Sequence, residues 1–478
     1  MATALGIDAG LSGVKVGAFA PDGTILALAE VANDALRRDG PQSEMDMPRL
    51  WELACQGVRQ VVGSLPPGRQ PQAVGLCGHG NGVYLVSPDA APLLAVSSMD
   101  TRAAPIVDAW LRDGTGERIC KAVGGHVWSG QPLPILAQLG LPSRPATLLF
   151  CKDWIRHRLT GTLVTDRGDA SAAGLLELKT GVWARDVFES VGLGRIAELL
   201  PDLAECFDKT GEVTGAAADQ TGLRAGTPVF GGSIDLTIGA LGDGLDDRES
   251  LHVTAGTWAI HQARAGEPVL PADILQTVVA PWPGEFMLVE SSPTSAVNLA
   301  WLANLLGPAG ADYEQWDRWV LSGGDEPGAP MYLPYPTGAW DLPSVRAALA
   351  DVRPEHDAPA VVRAVYEGIV MGHRRQIAKY LAAGIPVRRL IVTGGLTRSG
   401  GWCQWLADHT GLPVEVSGNA HAACWGAAIC ALRGMGRPVE GAPPARTRFE
   451  PRPEHRAQCD ERFARFMARL DEIKERTR

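Results

Sequence analysis

At 478 residues the chain is too long for one ordinary core, so two or more domains are expected. Apolar residues at 45% and charged residues at 21% suit a globular protein, and a formal net charge of −10 offers no basic face for nucleic acid or an anionic membrane. No apolar run reaches spanning length and Met1-Ala2-Thr3 leads into a strand without a basic leader, so a cytoplasmic protein without nucleic-acid or membrane partners is expected.

Ala4 to Ile7 is a short apolar run that stops at Asp8-Ala9-Gly10. Val14 to Ala20 resumes as a strand, Pro21-Asp22-Gly23 makes a hairpin turn, and Thr24 to Ala29 returns. Asp46 and Pro48 mark a helix start, with Leu50, Ala54 and Val58 at helical spacing. Ala73 to Cys77 reads as a buried strand ending in Gly78-His79-Gly80-Asn81-Gly82, and Val83 to Val86 follows as another. Strands alternating with helices predict an α/β fold with a largely parallel sheet. Pro228 to Phe230 then runs into Gly231-Gly232 and delivers Asp235 to a helical run. The polar stretch Asp243 to Ser250 separates two halves, and a cleft between them is the natural ligand site.

The second half opens like the first: strand Leu251 to Thr254, turn Ala255-Gly256-Thr257, strand Trp258 to Ala263. Beside Gly6-Ile7-Asp8-Ala9-Gly10, this predicts a duplicated fold with one phosphate turn per half. Pro359 to Ala383 is a long helix, Leu390 to Thr393 a strand and Gly394-Gly395 a tight turn; Gly401 to His409 and Ala422 to Arg433 are helical. From Glu454 an amphipathic helix carries Phe463, Phe466, Met467, Leu470 and Ile473 on a docking face, its charges forming a solvated one.

The chemistry is narrowed by what is missing. The nine cysteines form no Cys-x-x-Cys pair, the ten histidines have no metal-ligand spacing, and there is no Walker loop, Gly-x-Gly-x-x-Gly unit or Gly-x-Ser-x-Gly elbow. Asp8 can position magnesium-bound phosphates with Ser12 and Lys15, or satisfy a local turn. Asp235, among apolar neighbours, can act as general base for an attacking hydroxyl, or cap the following helix. Gly394-Gly395 admits a flat ligand or is a bare turn. Asp100 and Arg102 can grip hydroxyls or form a surface pair of little worth. Trp128, Trp258, Trp301 and Trp402 can stack on a sugar or pack a core.

Several of these segments resemble one family in order and spacing: Gly6 to Gly10 with Lys15, Lys152-Asp153-Trp154 through Leu159-Thr160-Gly161, Gly231 to Asp235, Gly256-Thr257, Tyr332-Leu333-Pro334, Tyr366 to Ile369 and Val392 to Gly395. From about residue 4 to 432 the chain resembles the FGGY carbohydrate kinases, within the sugar kinase, Hsp70 and actin superfamily. The resemblance implies two actin-like (ribonuclease H-like) ATPase lobes, residues 1–245 and 246–435, closing on ATP, Mg²⁺ and a sugar or polyol, with 436–478 as a helical tail. It implies Asp235 as catalytic base, Asp8 as indirect holder of Mg²⁺, and Ser12 and Lys15 on phosphates. Gly256, Thr257, Gly394, Gly395 and Ser399 would take ATP; Asn81, Asp100, Arg102 and Trp128 would join Asp235 at the substrate.

Gly78 to Gly82, Ser98 to Arg102 and Ser292 to Trp301 resemble the L-xylulokinase branch. Glycerol kinases carry Arg-Glu, and D-xylulokinases Met-His, where this chain has Gly80-Asn81. The expected reaction is phosphorylation of a terminal hydroxyl of a small ketose, a pentulose such as L-xylulose; the alternatives are another polyol or sugar acid (erythritol, D-xylulose, a gluconate type) and an idle sugar sensor. The family's Lys and Trp are missing between Trp128 and Leu139, so the pocket's shape does not carry over. Dimers occur in the family, which allows a homodimer.

Overall fold

The opening hairpin sets the pattern for the whole molecule. In the computed structural model, which describes residues 2–270, 273–307, 312–322, 328–439 and 447–476, β1 (Ala4–Ala9), β2 (Gly13–Phe19) and β3 (Ile25–Ala32) pair antiparallel in sequence. β4 (Ala73–Gly78) then lies parallel to β1, with Asp8 opposite Cys77. With β5 (Lys209–Glu212) and β6 (Pro228–Ile234) the first sheet has the order β5-β6-β4-β1-β2-β3. The expected largely parallel sheet is corrected to a mixed one. Pro21-Asp22-Gly23 is too short for a crossover, so β2 and β3 can only run antiparallel.

The second lobe repeats this scheme. β7 (Ser250–Ala255) and β8 (Ala259–Ala265) form the hairpin, β9 (Gln276–Val279) and β10 (Phe286–Ser292) extend it, and β11 (Arg389–Thr393), β12 (Val414–Val416) and β13 (Thr447–Phe449) complete the sheet. Its order is β9-β10-β8-β7-β11-β12-β13. Both sheets contain three parallel strands (β6, β4, β1 and β12, β11, β7) followed by two antiparallel ones (β2, β3 and β8, β10). This is the duplicated, actin-like α/β arrangement.

Helices cover the sheets: α1 (Met47–Ser64), α2 (Cys151–Thr160), α3 (Arg167–Ala172) and α4 (Asp235–Gly242) in the first half, then α5 (Ala358–Ala382), α6 (Gly400–Thr410), α7 (Ala422–Gly434) and α8 (Arg456–Arg476). Asp46 caps α1, accepting the Arg49 N–H at 3.0 Å. α7 crosses to the first lobe and lies against β1, β4 and α4. Glycines make that approach possible: a Cβ on Gly6 would stand 1.9 Å from the Cys424 carbonyl oxygen, and one on Gly75 1.9 Å from that of Ala427. At its other side the cleft is bridged by backbone, His126 N–H donating to Leu275 O at 3.1 Å and Thr277 N–H to Gly124 O at 2.7 Å.

α8 docks as expected through Phe466 and Leu470, packed with Met331, Leu333 and Tyr335. Its charges are more than a solvated face, since Arg462 pairs with Glu367, and Arg469 with Asp351 at 2.8 Å. Of the tail, residues 440–446 and 477–478 lie outside the described residues. Among the described residues no helix is long and apolar enough to cross a membrane.

Candidate active site

A strained strand end delivers Asp235. β6 loses register with β4 between Phe230 and Ser233, and Gly232 there has φ +68°. A Cβ on Gly232 would fall 1.6 Å from the Leu76 carbonyl oxygen, so only glycine lets β6 turn this close to β4. Ile234 takes the N-cap position, and Asp235 is the first residue of α4 with its carboxylate turned to the cleft. Asp235 is thus a first-turn acid of α4 rather than its N-cap, a position that leaves its carboxylate facing the cleft.

Asp8 reaches the same cleft from β1. Its Oδ1 is buried and makes no hydrogen bond among the described residues, so it is not the satisfied turn acid of the simpler reading. Removal from water pushes the Asp8 carboxyl up to about 6, against the pull of Lys15. Asp235 rises further, to about 8, first through desolvation and then through the charge of Asp8. Perturbed carboxyls facing one cavity are the signature of a site where charge is handled.

That cavity holds about 280 Å³ and is lined by Asp8, Lys15, Asp235, Thr254, Thr393 and the start of α7, among others. One face of α4 supplies Asp235, Gly239 and, two turns on, Asp243. Asp243 accepts from Ser417 Oγ and meets His252 Nε2 at 2.9 Å. Gln262 approaches the other nitrogen of His252 at 3.4 Å and donates to Leu236 O at 3.1 Å. Asp243 and His252 were absent from the sequence-derived site, where Asp243 counted only as the start of a polar boundary. Its helical spacing from Asp235 was the available signal.

The two glycine turns meet. A Cβ on Gly394 would stand 2.5 Å from the Ala255 carbonyl group and 2.9 Å from Gly256 N, so the β7–β8 and β11 turns are in direct contact. Gly256 O accepts the Ala296 N–H at 2.8 Å, and Thr257 is exposed. Ser12 is exposed on the β1–β2 turn, its carbonyl accepting the Asn33 N–H at 3.0 Å; Lys15 lies 3.9 Å from Glu30. Ser399 does not line the cavity. It caps α6, accepting the Trp402 N–H at 3.0 Å, and donates to Asp317.

A second cavity of about 490 Å³ adjoins the first, and Leu236 and Ile260 line both. Asn81 and Trp128 reach it from the first lobe, Trp258 and Trp340 from the second. Asn81 has φ +62° and a buried Oδ1 without a hydrogen-bond partner among the described residues. Of the other tryptophans singled out, Trp402 is core and Trp301 stacks on Tyr332 at 5.6 Å. Asp100 and Arg102 do not line either cavity. Asp100 is buried rather than a surface acid, accepting the Ser43 N–H at 2.8 Å and pairing with Arg102 at 2.8 Å. Trp340 had no sequence signal, and it stands out here because His126 lies against it, ring centroids 4.5 Å apart.

The N-terminal domain of the FGGY family of carbohydrate kinases matches residues 3–242 and the C-terminal domain of that family residues 251–435. The chain belongs to the FGGY carbohydrate kinases. It is therefore a phosphotransferase with an alcohol group as acceptor. It is 29% identical to the L-xylulose/3-keto-L-gulonate kinase of Escherichia coli (strain K12), covering 90% of this chain and 88% of that one. It is 27% identical to a probable L-xylulose kinase of Pasteurella multocida, covering 97% of each. In structure it is similar to the xylulose kinase of Rhodospirillum rubrum, with a TM-score of 0.91 over 99% of this chain and 100% of that one at 21% identity. In this FGGY kinase Asp8 and Asp235 line one cavity, and the indoles line the one that adjoins it.

Proposed function

We propose that this FGGY kinase transfers the γ-phosphate of ATP to a terminal hydroxyl of a small ketose, a pentulose such as L-xylulose. The observation that carries the reading is that the cavity of Asp8 and Asp235 adjoins the aromatic pocket, with Leu236 and Ile260 lining both. Asp235, held at a raised pKa, takes the proton of the acceptor hydroxyl, and the oxygen so freed bonds to the γ-phosphorus as the bond to the β-phosphate oxygen breaks. Lys15, Ser12 and the backbone of Gly256-Thr257 hold phosphate oxygens, and Gly394 and Gly395 serve the nucleotide on the turn that leads to Ser399, the cap of α6. The unpartnered Oδ1 of Asp8 fits Mg²⁺ carried on the phosphates, which supplies charge neutralisation when bound. Asn81 and Trp128 hold the sugar, with Asp100 and Arg102 bracing the pocket edge.

Support for the pentulose comes from the relatives: both are named for L-xylulose, and the first also for a sugar acid. The test is ADP release against a panel of ketoses, polyols and sugar acids, with Asp235→Asn alongside. A stimulated rate that falls about 10³-fold in the variant, while sugar and nucleotide still bind, supports the reading. Substantial residual turnover in Asp235→Asn removes Asp235 as base; no stimulation by any acceptor favours a sugar sensor.

A further inference from the structure

The pocket beside Asp235 has a property that bears on which acceptors it admits. Its walls are the indoles of Trp128, Trp258 and Trp340 with aliphatic neighbours, and its polar side chains, Asn81, Gln276 and Ser291 among them, are uncharged. No Lys or Arg is found among the described lining residues. The one titratable lining group, His126, has its pKa lowered by burial and by Lys379, so it offers a neutral ring at neutral pH.

The cations around the pocket are turned to other partners, Arg346 among them, which donates to the carbonyls of Pro343 at 2.7 Å and Val345 at 2.9 Å. Lys379 Nζ stands behind the Trp340 ring, 4.9 Å from its centroid, and is held by Glu290 and Asp341 at 3.0 Å each. Arg375 is bound to the same Asp341. Glu290, wholly buried, also takes the Trp340 indole N–H at 2.6 Å and the Leu275 N–H at 2.9 Å. These two acids and two bases cancel, and their work is to fix Trp340 as a pocket wall. On the first lobe, Arg102 is held by Asp100 at 2.8 Å and Glu44 at 2.9 Å. The adjoining cavity adds the acids Asp8, Asp235 and Asp243 against the one lysine, Lys15.

We infer that the acceptor pocket is built for an uncharged ketose or polyol and rejects carboxylated sugars, with Trp340 as a specificity-determining residue. This rests on the kinase reading for its chemistry, but not for its selectivity. A sugar carboxylate entering here loses water, finds no cation among the lining side chains to replace it, and adjoins a cavity that holds more acids than bases. Hydroxyls need only neutral partners, and C–H faces of a sugar suit indole rings.

Two measurements test it. In ADP-release assays, kcat/KM for the best neutral ketose or polyol should exceed that for the best keto-aldonate or aldonate by about 100-fold or more, the loss expected for a buried carboxylate without a partner. A sugar acid within tenfold of the best neutral acceptor, or above it, overturns the inference. Gln276→Arg, which adds a cation to the wall, should narrow the ratio about tenfold; an unchanged ratio overturns its electrostatic basis. Calorimetric binding of the same sugars to Asp235→Asn separates this from the kinase reading. If neutral sugars bind and the native protein phosphorylates none of them, the kinase reading falls and the selectivity stands. If a keto-aldonate binds as tightly as any neutral sugar, or no sugar binds, the selectivity falls whatever the turnover.

Discussion

The two cavities that meet at Leu236 and Ile260 are made of opposite materials. One gathers Asp8, Asp235 and Asp243 with Lys15 around a small space; the other is walled by indoles and neutral polar groups. The first raises carboxyl pKa values by keeping acids close and poorly solvated, which suits proton removal and phosphate handling. The second holds no charge of its own to move. On the proposed reading labour divides between them: the acids serve phosphate transfer, and the indoles select the acceptor.

Substitutions can break that comparison. After the loss of turnover in Asp235→Asn, the largest effect belongs to Asp8→Asn, which should lower kcat about 100-fold and weaken binding of magnesium nucleotide, while calorimetry finds sugar binding changed less than twofold. An equal loss on both sides would join the cavities into one unit. Next comes the strain of holding Asp235. Its folded pKa of about 8 lies above the ordinary 3.8, so its contribution favours the fold below pH 3.8 and is lost as pH rises towards 8. Melting of the ligand-free Asp235→Asn protein should therefore match the native one near pH 4 and exceed it above pH 8, by on the order of 2 kcal/mol given its cavity-facing side. A gain that shrinks with pH would show that Asp235 is stabilised as a carboxylate.

Trp340→Leu comes third. The acceptor KM should rise about tenfold, with kcat and the ATP KM near native values. A fall in kcat alone would place the indole at the reacting atoms instead. The smallest effect is that of Ser399→Ala: losing the cap of α6 should cost about 1 kcal/mol in a melting experiment and leave the ATP KM within threefold. A tenfold rise in ATP KM at unchanged stability would assign Ser399 to the nucleotide.

What the sequence reveals of this site follows how local each feature is. Asp8 and Asp235 are legible because each closes a strand beside glycines, a signal contained in a few neighbours. The doubled lobe is legible because strand, turn and strand recur. The mixed sheet could have been read from the short Pro21-Asp22-Gly23 turn, but the alternation of elements outweighed it. Trp340 is beyond sequence reasoning, since it becomes a pocket wall only through Glu290, His126 and Lys379, each from a different part of the chain. Asp100 and Arg102 look alike for a surface pair and a buried one; only the chain around Ser43 distinguishes them. Ser399 meets both a motif and a helix-capping rule, and the fold puts its oxygen to the second use.

The seating of α7 on β1 and β4 has a consequence of scale. At Gly6 and Gly75 peptide group rests on peptide group, with no side chain between to yield by changing rotamer. A single methyl at residue 6, far smaller than any substrate, has nowhere to go except into the Cys424 carbonyl, so it would wedge one half of the molecule off the other. Asp8 stands two positions along the same strand, and the start of α7 is part of its cavity wall. The spacing around Asp8 is thus a matter of mechanical tolerance, set by two glycines that line neither cavity.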